Sequence, residues 1–404
     1  MRILAVSTWF PFPPDNGSKT RAYNLLSWLG KRHTLDLLAM TQDSGDLEYL
    51  DRVREFCRKL EIFPEARFCP KSMRSLLGFF TPTPRYFLQH YSREMAHTAS
   101  EWAGRESYDT VIAVTLGAAP YAADLDIPIK WLDQHNVESQ VIKRQLMNTK
   151  SLFYRIRYVF TWLKAERFER KLSKCFDVIS VVSERERELM QVVAGKSYTG
   201  EIVLVPNGVD TSLCTYNVQE KQVDTLVYTG GVTYRANHDA AARLCQRILP
   251  IVTESCPGVR VRITGRTDGA NIQDLVVIPG VEFTGYVKDV RPIVAAAAAL
   301  VVPLRYGGGT KLKVLEAMAL GTPVVSTEVG AEGLNVQDGK HILIGESDED
   351  LAAHVVRLLK DQDFATYIAK NARELVREEY GWHRIASDFE QLIRQRCSDL
   401  ATVN

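Results

Sequence analysis

The segment Tyr306–Gly321 combines residue types that bind a phosphorylated ligand at a strand-to-helix turn. Its consecutive glycines, residues 307–309, let the backbone approach a ligand closely, and the first free N–H groups of the following helix attract phosphate. Lys311 adds a positive charge at that point. Glu316, about one and a half turns into the helix, is placed to accept hydrogen bonds from a diol such as a ribose. The segment therefore predicts a site for a phosphate and a diol.

Two elements must position this turn. The apolar run of residues 299–304 predicts a buried parallel strand before it. The apolar residues after it have the spacing of one helix face, and they are Leu312, Leu315, Met318 and Ala319. An ordinary glycine loop, with Glu316 paired to Lys313 one helical turn earlier, would have the same local sequence.

The helix carries a longer pattern, which is Glu316-Ala317-Met318-Ala319 followed by Gly321, Pro323, Val324 and Val325. This pattern resembles the donor-binding motif of the retaining glycosyltransferases of family 4, the glycosyl transferases group 1, which have the GT-B fold. The resemblance implies that Lys311 and Glu316 bind a nucleotide-sugar donor. Gly308 stands where the family has a first glutamate. We therefore expect the backbone N–H groups of Gly308 and Gly309, with the adjacent Thr310, to bind the donor instead.

An Asn16-Gly17 turn follows the first predicted strand and precedes a helical pattern. Such a turn either holds a phosphate or a sugar, or is a plain helix N-cap. The family has a glycine-rich loop here. The resemblance implies a ligand-binding role for Gly17 and for Arg21.

His135 follows another predicted strand, in the string Asp133-Gln134-His135-Asn136-Val137-Glu138. The carboxyl ends of strands bind ligands in open α/β sheets, although a lone histidine is more often structural. Family 4 enzymes commonly place a histidine from the first domain near the donor sugar, and this string is similar to one of their subgroups. The resemblance implies that His135 positions the substrate.

The second half of the chain opens with a further strand, glycine turn and helix start around Gly231 and Arg235. The family has an arginine and a lysine here that contact the donor diphosphate. Arg235 matches the arginine, but Ala240 occupies the lysine position, and we expect Lys311 to replace it. A solvated surface role is the alternative for Arg235. Tyr286, after a later strand, could stack on the nucleobase or cover the sheet edge. The sequence therefore does not identify the nucleobase, and the donor could be linked to UDP, GDP or ADP.

Composition places the chain among globular proteins of two domains, with 404 residues of which 46% are hydrophobic. The seven cysteines are odd in number and lack metal-ligand spacing, which favours a reducing compartment and predicts no metal site. The chain opens on a strand-like run unlike a signal peptide, and its longest apolar run, residues 293–304, is too short to span a bilayer. We expect a cytoplasmic protein without a cofactor.

Asp348-Glu349-Asp350 resembles a metal-binding Asp-x-Asp, but fits the first turn of a helix better.

Strand-like runs alternate with helix-length segments in both halves, which is typical of parallel α/β sheets. The runs are residues 3–7, 35–39, 110–114, 129–133 and 178–182, then 225–228, 259–264, 281–284, 300–303 and 323–326. Pro206-Asn207-Gly208-Val209-Asp210 separates the two sets and occurs at the interdomain linker of the family. The expected fold is α/β GT-B, with two Rossmann-like domains facing across a cleft. Residues 1–205 would form the acceptor-side domain and 206–380 the donor domain, with a C-terminal helix at 381–404 that could pack on the first domain.

The two halves of the chain carry opposite net charge. Residues 1–200 contain 29 Lys and Arg and 23 Asp and Glu, a net charge of +6. Residues 201–404 contain 21 Lys and Arg and 26 Asp and Glu, a net charge of −5. This asymmetry suggests that the first half meets an anionic partner, although a chance division of surface charges would explain it equally well.

Residues 71–91 and 154–174 mix basic and aromatic side chains. Ile156, Val159, Phe160 and Leu163 lie at helical spacing and predict a helix face buried in the core. The alternative is a peripheral surface for an anionic membrane or a lipid-linked acceptor.

Together with these features, the resemblance to family 4 implies a retaining glycosyltransferase with a UDP- or GDP-linked donor and a glycan, lipid-linked or small-molecule acceptor. Its setting would be cell-envelope or exopolysaccharide synthesis, without metal and without nucleic acid. Arg235, Lys311 and the helix start would stabilise the leaving diphosphate. A sugar-nucleotide epimerase of the same fold and a non-catalytic nucleotide-sugar-binding protein are two other classes. Product analysis on the donor alone would distinguish the epimerase, and measurable turnover would exclude the binding protein.

Overall fold

The computed structural model describes residues 1–41, 44–66, 69, 72–73, 75, 78–147, 149, 151–215, 221–307 and 311–403. The chain forms two compact units. The first unit contains Met1–Pro206 and His383–Asn404, and the second unit contains Asn207–Trp382.

The first unit is built on a parallel sheet with the strand order β3-β2-β1-β4-β5-β6-β7. The strands are β1 (Arg2–Ser7), β2 (Thr34–Thr41), β3 (Lys59–Pro64), β4 (Thr110–Val114), β5 (Ile129–Gln134), β6 (Val178–Val181) and β7 (Glu201–Leu204). The predicted strands of the first half are confirmed. The sequence did not predict β3 and β7, because each is an edge strand that is only partly buried and lacks a long apolar run.

The helices of the first unit connect these strands. They are α1 (Gly17–Gly30), α2 (Leu50–Arg54), α3 (Arg85–His90), α4 (Arg93–Arg105), α5 (Ala119–Ala122), α6 (Glu138–Met147), α7 (Leu152–Ser173) and α8 (Glu184–Ala194), with a 3₁₀ turn at Ser44–Tyr49. On one face of the sheet, apolar side chains form a buried cluster with the helices that cover it, for example Leu4, Val111 and Leu132 at 0% exposure.

The prediction that the apolar face of helix α7 is buried in the core is wrong. Ile156 is 53% exposed, Phe160 63% and Leu163 38%. The buried side chains of α7 are those of its last turns, which are Ala165, Glu169, Leu172 and Ser173. The core therefore ends near Ala165, and the first half of α7 packs against the neighbouring α6 while much of its apolar side stays exposed.

The second unit is built on a second parallel sheet with the order β10-β9-β8-β11-β12-β13. The strands are β8 (Gln222–Thr229), β9 (Arg260–Thr264), β10 (Val281–Gly285), β11 (Ala297–Val302), β12 (Val324–Ser326) and β13 (Leu343–Ile344). The predicted strands of the second half are confirmed, and the two-residue β13 was not predicted.

The helices of the second unit are α9 (Arg235–Arg243), α10 (Leu249–Ser255), α11 (Gln273–Val276), α12 (Arg291–Ala296), α13 (Leu312–Ala319), α14 (Glu328–Ala331), α15 (Asp348–Lys360) and α16 (Gln362–Glu379), with a π-helical turn at Leu244–Ile248. Helix α17 (Trp382–Val403) follows and belongs to the first unit from His383 onward. Asp348 is the first residue of α15 and pairs with Arg243, which confirms the interpretation of this acidic run as a helix start.

Each sheet has one point where the strand order reverses, between β1 and β4 in the first unit and between β8 and β11 in the second. The loops that follow such a pair of strands diverge to opposite faces of the sheet and leave a crevice, where open α/β sheets bind their ligands. The segments singled out in the sequence follow β1, β5, β8, β10 and β11.

Candidate active site

Three glycines after β8 and β9 form a close backbone contact in the second unit. Gly230 and Gly265 have φ of +140° and +135°, a region that side chains rarely adopt. A Cβ on Gly265 would lie 2.5 Å from the carbonyl carbon of Gly230. With Gly231, these residues form a surface of bare backbone, which we call the glycine cradle, at the reversal point of the second sheet.

The ammonium group of Lys313, on the first turn of α13, lies against this cradle. Its Nζ atom donates hydrogen bonds of 3.2 Å to the hydroxyl of Tyr228 and to Oδ1 of Asn237. A Cβ on Gly230 would lie only 2.7 Å from this Nζ atom. The cation therefore lies where a phosphate held by the cradle would need it.

The sequence suggested Lys313 only as a helical partner of Glu316, and the structure does not form that pair. Within the described part of the chain no ion pair joins the two side chains, because Lys313 turns back toward β8. A side chain on the first turn of a helix leans toward the helix N-terminus, which is a signal that could have assigned Lys313 to the turn.

The electrostatics of this site favour an anion. Burial, and then the charge of Lys311, lowers the pKa of Lys313 to about 7. Burial raises the pKa of Glu316 to about 7, although the charge of Lys313 opposes this shift. A diphosphate beside Lys313 would restore its proton, because a nearby opposite charge favours the charged form of a lysine.

The other predicted donor residues of the second unit lie on the loops around the same sheet edge. Lys311 is 9% exposed and directly precedes α13. Arg235 is the exposed first residue of α9, and its carbonyl oxygen accepts a 3.3 Å hydrogen bond from the hydroxyl of Tyr306. Tyr286 follows β10 and is 65% exposed, with the Arg266 guanidinium 5.6 Å from its ring.

Gly308, Gly309 and Thr310 lie outside the described residues, so the backbone contacts expected of them stay predictions. The roles of Gly231, Arg235, Lys311, Glu316 and Tyr286 in donor binding likewise stay predictions.

In the first unit, Arg21 is a structural residue and not an exposed ligand contact. Its side chain is fully buried, with Nε and Nη2 donating to the Asp133 carboxylate at 2.9 and 2.6 Å. A third hydrogen bond of 2.9 Å reaches the carbonyl oxygen of Pro206. Burial alone would raise the pKa of Asp133, but the charge of Arg21 and the hydrogen bonds from His135 and Arg21 outweigh it and hold that pKa well below its usual range.

Gly17 is the exposed first residue of α1, directly after the N-cap residue Asn16. The Asn16 side chain accepts a 3.0 Å hydrogen bond from the backbone N–H of Lys19. The N-cap interpretation of this turn is therefore confirmed, and a ligand contact at Gly17 stays a prediction.

His135 has the geometry of a neutral, oriented histidine. It is 7% exposed, its Nε2 atom lies 3.2 Å from Oδ2 of Asp133, and its ring lies 6.1 Å from that of Trp9. Burial lowers the pKa of His135 against the effect of Asp133. Because the carboxylate can only accept, we assign the proton to Nε2. Nδ1 has no hydrogen-bond partner among the described residues and is left as an acceptor for a ligand hydroxyl.

Two buried carboxylates hold the segment after His135, and the sequence did not identify them. Glu186 accepts a 2.7 Å hydrogen bond from the N–H of Val137. Glu169 accepts 3.0 Å bonds from the N–H groups of Glu138 and Ser139 at the start of α6. Acidic side chains stabilise a helix N-terminus, and these two fix the path of the chain from β5 into α6.

Neither a metal centre nor a membrane-spanning helix is found in the described part of the chain. The described residues contain no group of three or more His, Cys, Asp or Glu side chains that could hold a metal ion. No helix among them is both long enough and apolar enough to cross a membrane.

Comparisons with known proteins agree on one class. Residues 223–361 match the family described as "Glycosyl transferases group 1". An uncharacterized 44.6 kDa protein in the cps region of Klebsiella pneumoniae is 22% identical over 96% of this chain and 98% of its own length. An uncharacterized glycosyltransferase of Methanocaldococcus jannaschii is 30% identical over 40% of this chain and 43% of its own length.

Solved structures show the same fold over nearly the whole chain. Anabaena HepE in complex with UDP and glucose aligns with a TM-score of 0.69 and 15% identity, covering 98% of this chain and 100% of its own. Sucrose-phosphate synthase of Thermosynechococcus elongatus aligns with a TM-score of 0.70 and 19% identity, covering 98% and 99%. The fold is GT-B, and the chain is a glycosyltransferase. Residues 223–361 are similar to the glycosyl transferases group 1, as the motif at Glu316 predicted.

Proposed function

We propose that this chain transfers a sugar from a UDP-linked donor to an acceptor with retention of anomeric configuration. The observation that carries the proposal is the position of Lys313 against the glycine cradle, at the reversal point of the second sheet. A uridine nucleotide is favoured because HepE, which has the same fold, binds UDP and glucose. A GDP-linked donor remains the alternative that the titration below tests.

In the proposed mechanism the donor diphosphate lies on the glycine cradle beside Lys313, with Lys311 and Arg235 close to the same loops. Negative charge builds up on the leaving diphosphate as the glycosidic bond breaks. Fixed cations and backbone N–H groups stabilise this charge without reorganising, and such stabilisation commonly accounts for most of the rate enhancement. The leaving phosphate oxygen takes the proton of the acceptor hydroxyl on the same face of the sugar, so the configuration is retained.

Two further residues of the second unit orient the donor. Glu316 accepts hydrogen bonds from the ribose diol, and the exposed ring of Tyr286 stacks on the base. In the first unit, His135 offers Nδ1 as an acceptor to a ligand hydroxyl and acts by positioning, since its lowered pKa keeps it neutral.

The acceptor belongs to polysaccharide synthesis in this proposal. The relative encoded in a cps region matches this chain from end to end, which supports the setting. Acceptor binding is assigned to the first unit, because the donor loops occupy the reversal point of the second.

Calorimetric titration with UDP, GDP and ADP, followed by incubation with UDP-sugars, tests the proposal. We expect UDP to bind most tightly, and the sugar slowly released to water to carry the donor's anomeric configuration when first observed by NMR. Release of the opposite anomer would refute retention. Absence of binding by all three nucleotides would refute the assignment of the cradle.

A further inference from the structure

A cavity of about 570 Å³ is lined by residues of the first unit. Its floor is formed by Thr8 and Trp9 after β1, and by Thr115 and Gly117 after β4. These loops flank the reversal point of the first sheet, where open α/β sheets bind ligands. The volume lies within the range of about 300–1,000 Å³ that is typical of pockets for small organic ligands.

The backbone at this floor is strained. Thr115 has φ of +70°, the one non-glycine residue with positive φ in the described part of the chain. Such conformations cost about 1–3 kcal/mol and cluster at ligand sites, where the surrounding structure maintains them.

The walls of the cavity are mainly aromatic and carry cations. The aromatic side chains are Phe79, Tyr86, Phe87, Tyr158 and Phe160. Arg157 lies at the same wall, with its guanidinium 5.4 and 5.8 Å from the rings of Tyr154 and Tyr158. No acidic side chain pairs with Arg157 among the described residues. Lys164 also lines the cavity, and its Nζ donates to the carbonyl oxygens of Gly78 and Phe79.

One carboxylate, that of Glu138, lines the same space. Its backbone N–H is held by Glu169, but its side-chain oxygens have no hydrogen-bond donor in the described part of the chain. Burial, and then the charge of Glu186, raises its pKa to about 7. The side chain is partly exposed at the cavity wall, so its carboxylate can accept a hydrogen bond from a ligand hydroxyl.

The cavity continues onto the exposed apolar side of α7. Phe160 lines the cavity and is 63% exposed, and Ile156 and Phe153 lie further along the helix at 53% and 73%. Such a contiguous apolar surface beside cations suits a ligand with an apolar chain and an anionic group.

We propose that this cavity is the acceptor site and that the acceptor is a single-chain lipid phosphate bearing a hydroxyl group. This inference rests on the proposed function for the identity of the site as an acceptor site. The chain lies along Phe160 and the other aromatic walls, Arg157 and Lys164 bind the phosphate, and Glu138 accepts a hydrogen bond from the hydroxyl.

Calorimetry or thermophoresis below the micellar concentration tests the chain and the charge separately. The probes are dodecyl phosphate, dodecanol and inorganic phosphate. Dodecyl phosphate should bind roughly tenfold or more tightly than either fragment, since it gains both the apolar and the charged contacts. Equal binding of dodecanol would show that the cations do not recognise the phosphate, which would overturn the proposal.

Matched variants in the first unit locate the bound probe. Phe160→Ser and Arg157→Gln should each weaken dodecyl phosphate roughly tenfold. Val192→Ser on α8 and Arg155→Gln on α7, exposed in the same unit but outside the cavity lining and its apolar extension, should bind within roughly twofold of wild type, as expected for surface changes without a contact. Equal losses in both pairs would place the lipid outside the cavity and overturn the assignment of the cavity.

A ligand pair tests Glu138. Lauroyl lysophosphatidylglycerol adds hydroxyl groups beyond the phosphate, and wild type should bind it more tightly than dodecyl phosphate. Glu138→Ala should abolish this preference and leave dodecyl phosphate binding unchanged. An unaltered preference would refute the role of Glu138. UDP affinity should remain at the wild-type value in all these variants, so loss of UDP binding would point to failure of the donor assignment instead.

Discussion

The Nζ atom of Lys313 lies 3.2 Å from the Tyr228 hydroxyl and 4.2 Å from the centroid of the Tyr228 ring. Tyr228 lies on β8, and Lys313 lies on α13, the helix that follows β11. The strand order of the second sheet reverses between β8 and β11. The contact directs a lysine onto bare glycine backbone, in a place where burial has lowered its pKa to about 7. An anionic ligand would relieve this unfavourable state, and the donor diphosphate is the ligand we propose.

The first prediction concerns Lys313→Met, which removes the charge and keeps an apolar side chain of similar length. UDP-glucose affinity should fall by roughly 10- to 100-fold, because a charge-assisted hydrogen bond contributes about 1.5–3 kcal/mol. Lys370→Met, at an exposed position on α16, serves as the matched control and should bind as wild type does. Similar affinities for the two variants, measured by calorimetry, would remove Lys313 from the site.

The second prediction is a pH dependence with a defined sign. Lys313 loses its proton near pH 7 in the free protein, so its contribution to binding an anion should decline as the pH rises above that value. Glu316 ionises in the same range and favours ribose binding when ionised, so wild type alone is not diagnostic. The ratio of wild-type to Lys313→Met affinity for UDP-glucose should shrink between about pH 6 and pH 9. A constant ratio would show that Lys313 does not titrate there.

The third prediction assigns Glu316 to the ribose. Wild type should bind UDP more tightly than 2′,3′-dideoxy-UDP, by an amount that reflects about 1.5–3 kcal/mol for hydrogen bonds to a carboxylate. In Glu316→Ala the two ligands should bind with nearly equal affinity. If the variant still prefers UDP to the same extent, the diol contacts another residue.

The fourth prediction concerns turnover. Arg235→Ala and Lys311→Ala should each lower the rate of donor cleavage by roughly 10²-fold, the scale of removing one group that stabilises transition-state charge. Added Mg²⁺ should rescue neither variant, and treatment of wild type with EDTA should leave its rate unchanged. Loss of wild-type activity on chelation, recovered by a divalent metal, would contradict a metal-independent mechanism.

The fifth prediction concerns the buried pair of Arg21 and Asp133. Asp133→Asn should destabilise the protein by about 3–5 kcal/mol near neutral pH, because it leaves the Arg21 charge buried without a counter-ion. Asp124→Asn, an exposed change in the same unit, should alter the free energy of unfolding by less than about 0.5 kcal/mol. Both values come from urea denaturation.

The pH dependence of that destabilisation has a defined sign. The pKa of Asp133 is held below its unfolded value, so its stabilising effect is present above about pH 4 and declines as the pH falls further. The difference between wild type and Asp133→Asn should therefore narrow only in acid. A difference that is already absent at neutral pH would show that the pair does not stabilise the fold.

The sequence predicted the fold and its central strands well, because these strands are continuous apolar runs such as Ala297–Val302 that are buried on both faces. It missed the edge strands, whose residues are half exposed and carry no such run. It wrongly expected α7 to bury Ile156 and Phe160, because helical spacing of apolar residues does not reveal whether a neighbouring element covers them.

The site was predicted in part. The motif around Glu316 indicated the loop to which we propose that the donor binds, since its glycines and helix start follow one another in the chain. Lys313 was missed because its partners, Tyr228 and Asn237, are distant in the sequence and meet it only through the sheet order. Arg21 was assigned to a ligand for the same reason, since its pairing with Asp133 depends on the adjacency of α1 and β5 in the fold.

A crystal structure of the protein with UDP-glucose tests the central claim most directly. We predict that the diphosphate lies on the glycine cradle, with one of its oxygens within about 3.2 Å of the Lys313 Nζ atom, the upper end of the usual range for such a hydrogen bond. A diphosphate bound elsewhere, with Lys313 still bonded only to Tyr228 and Asn237, would contradict the account.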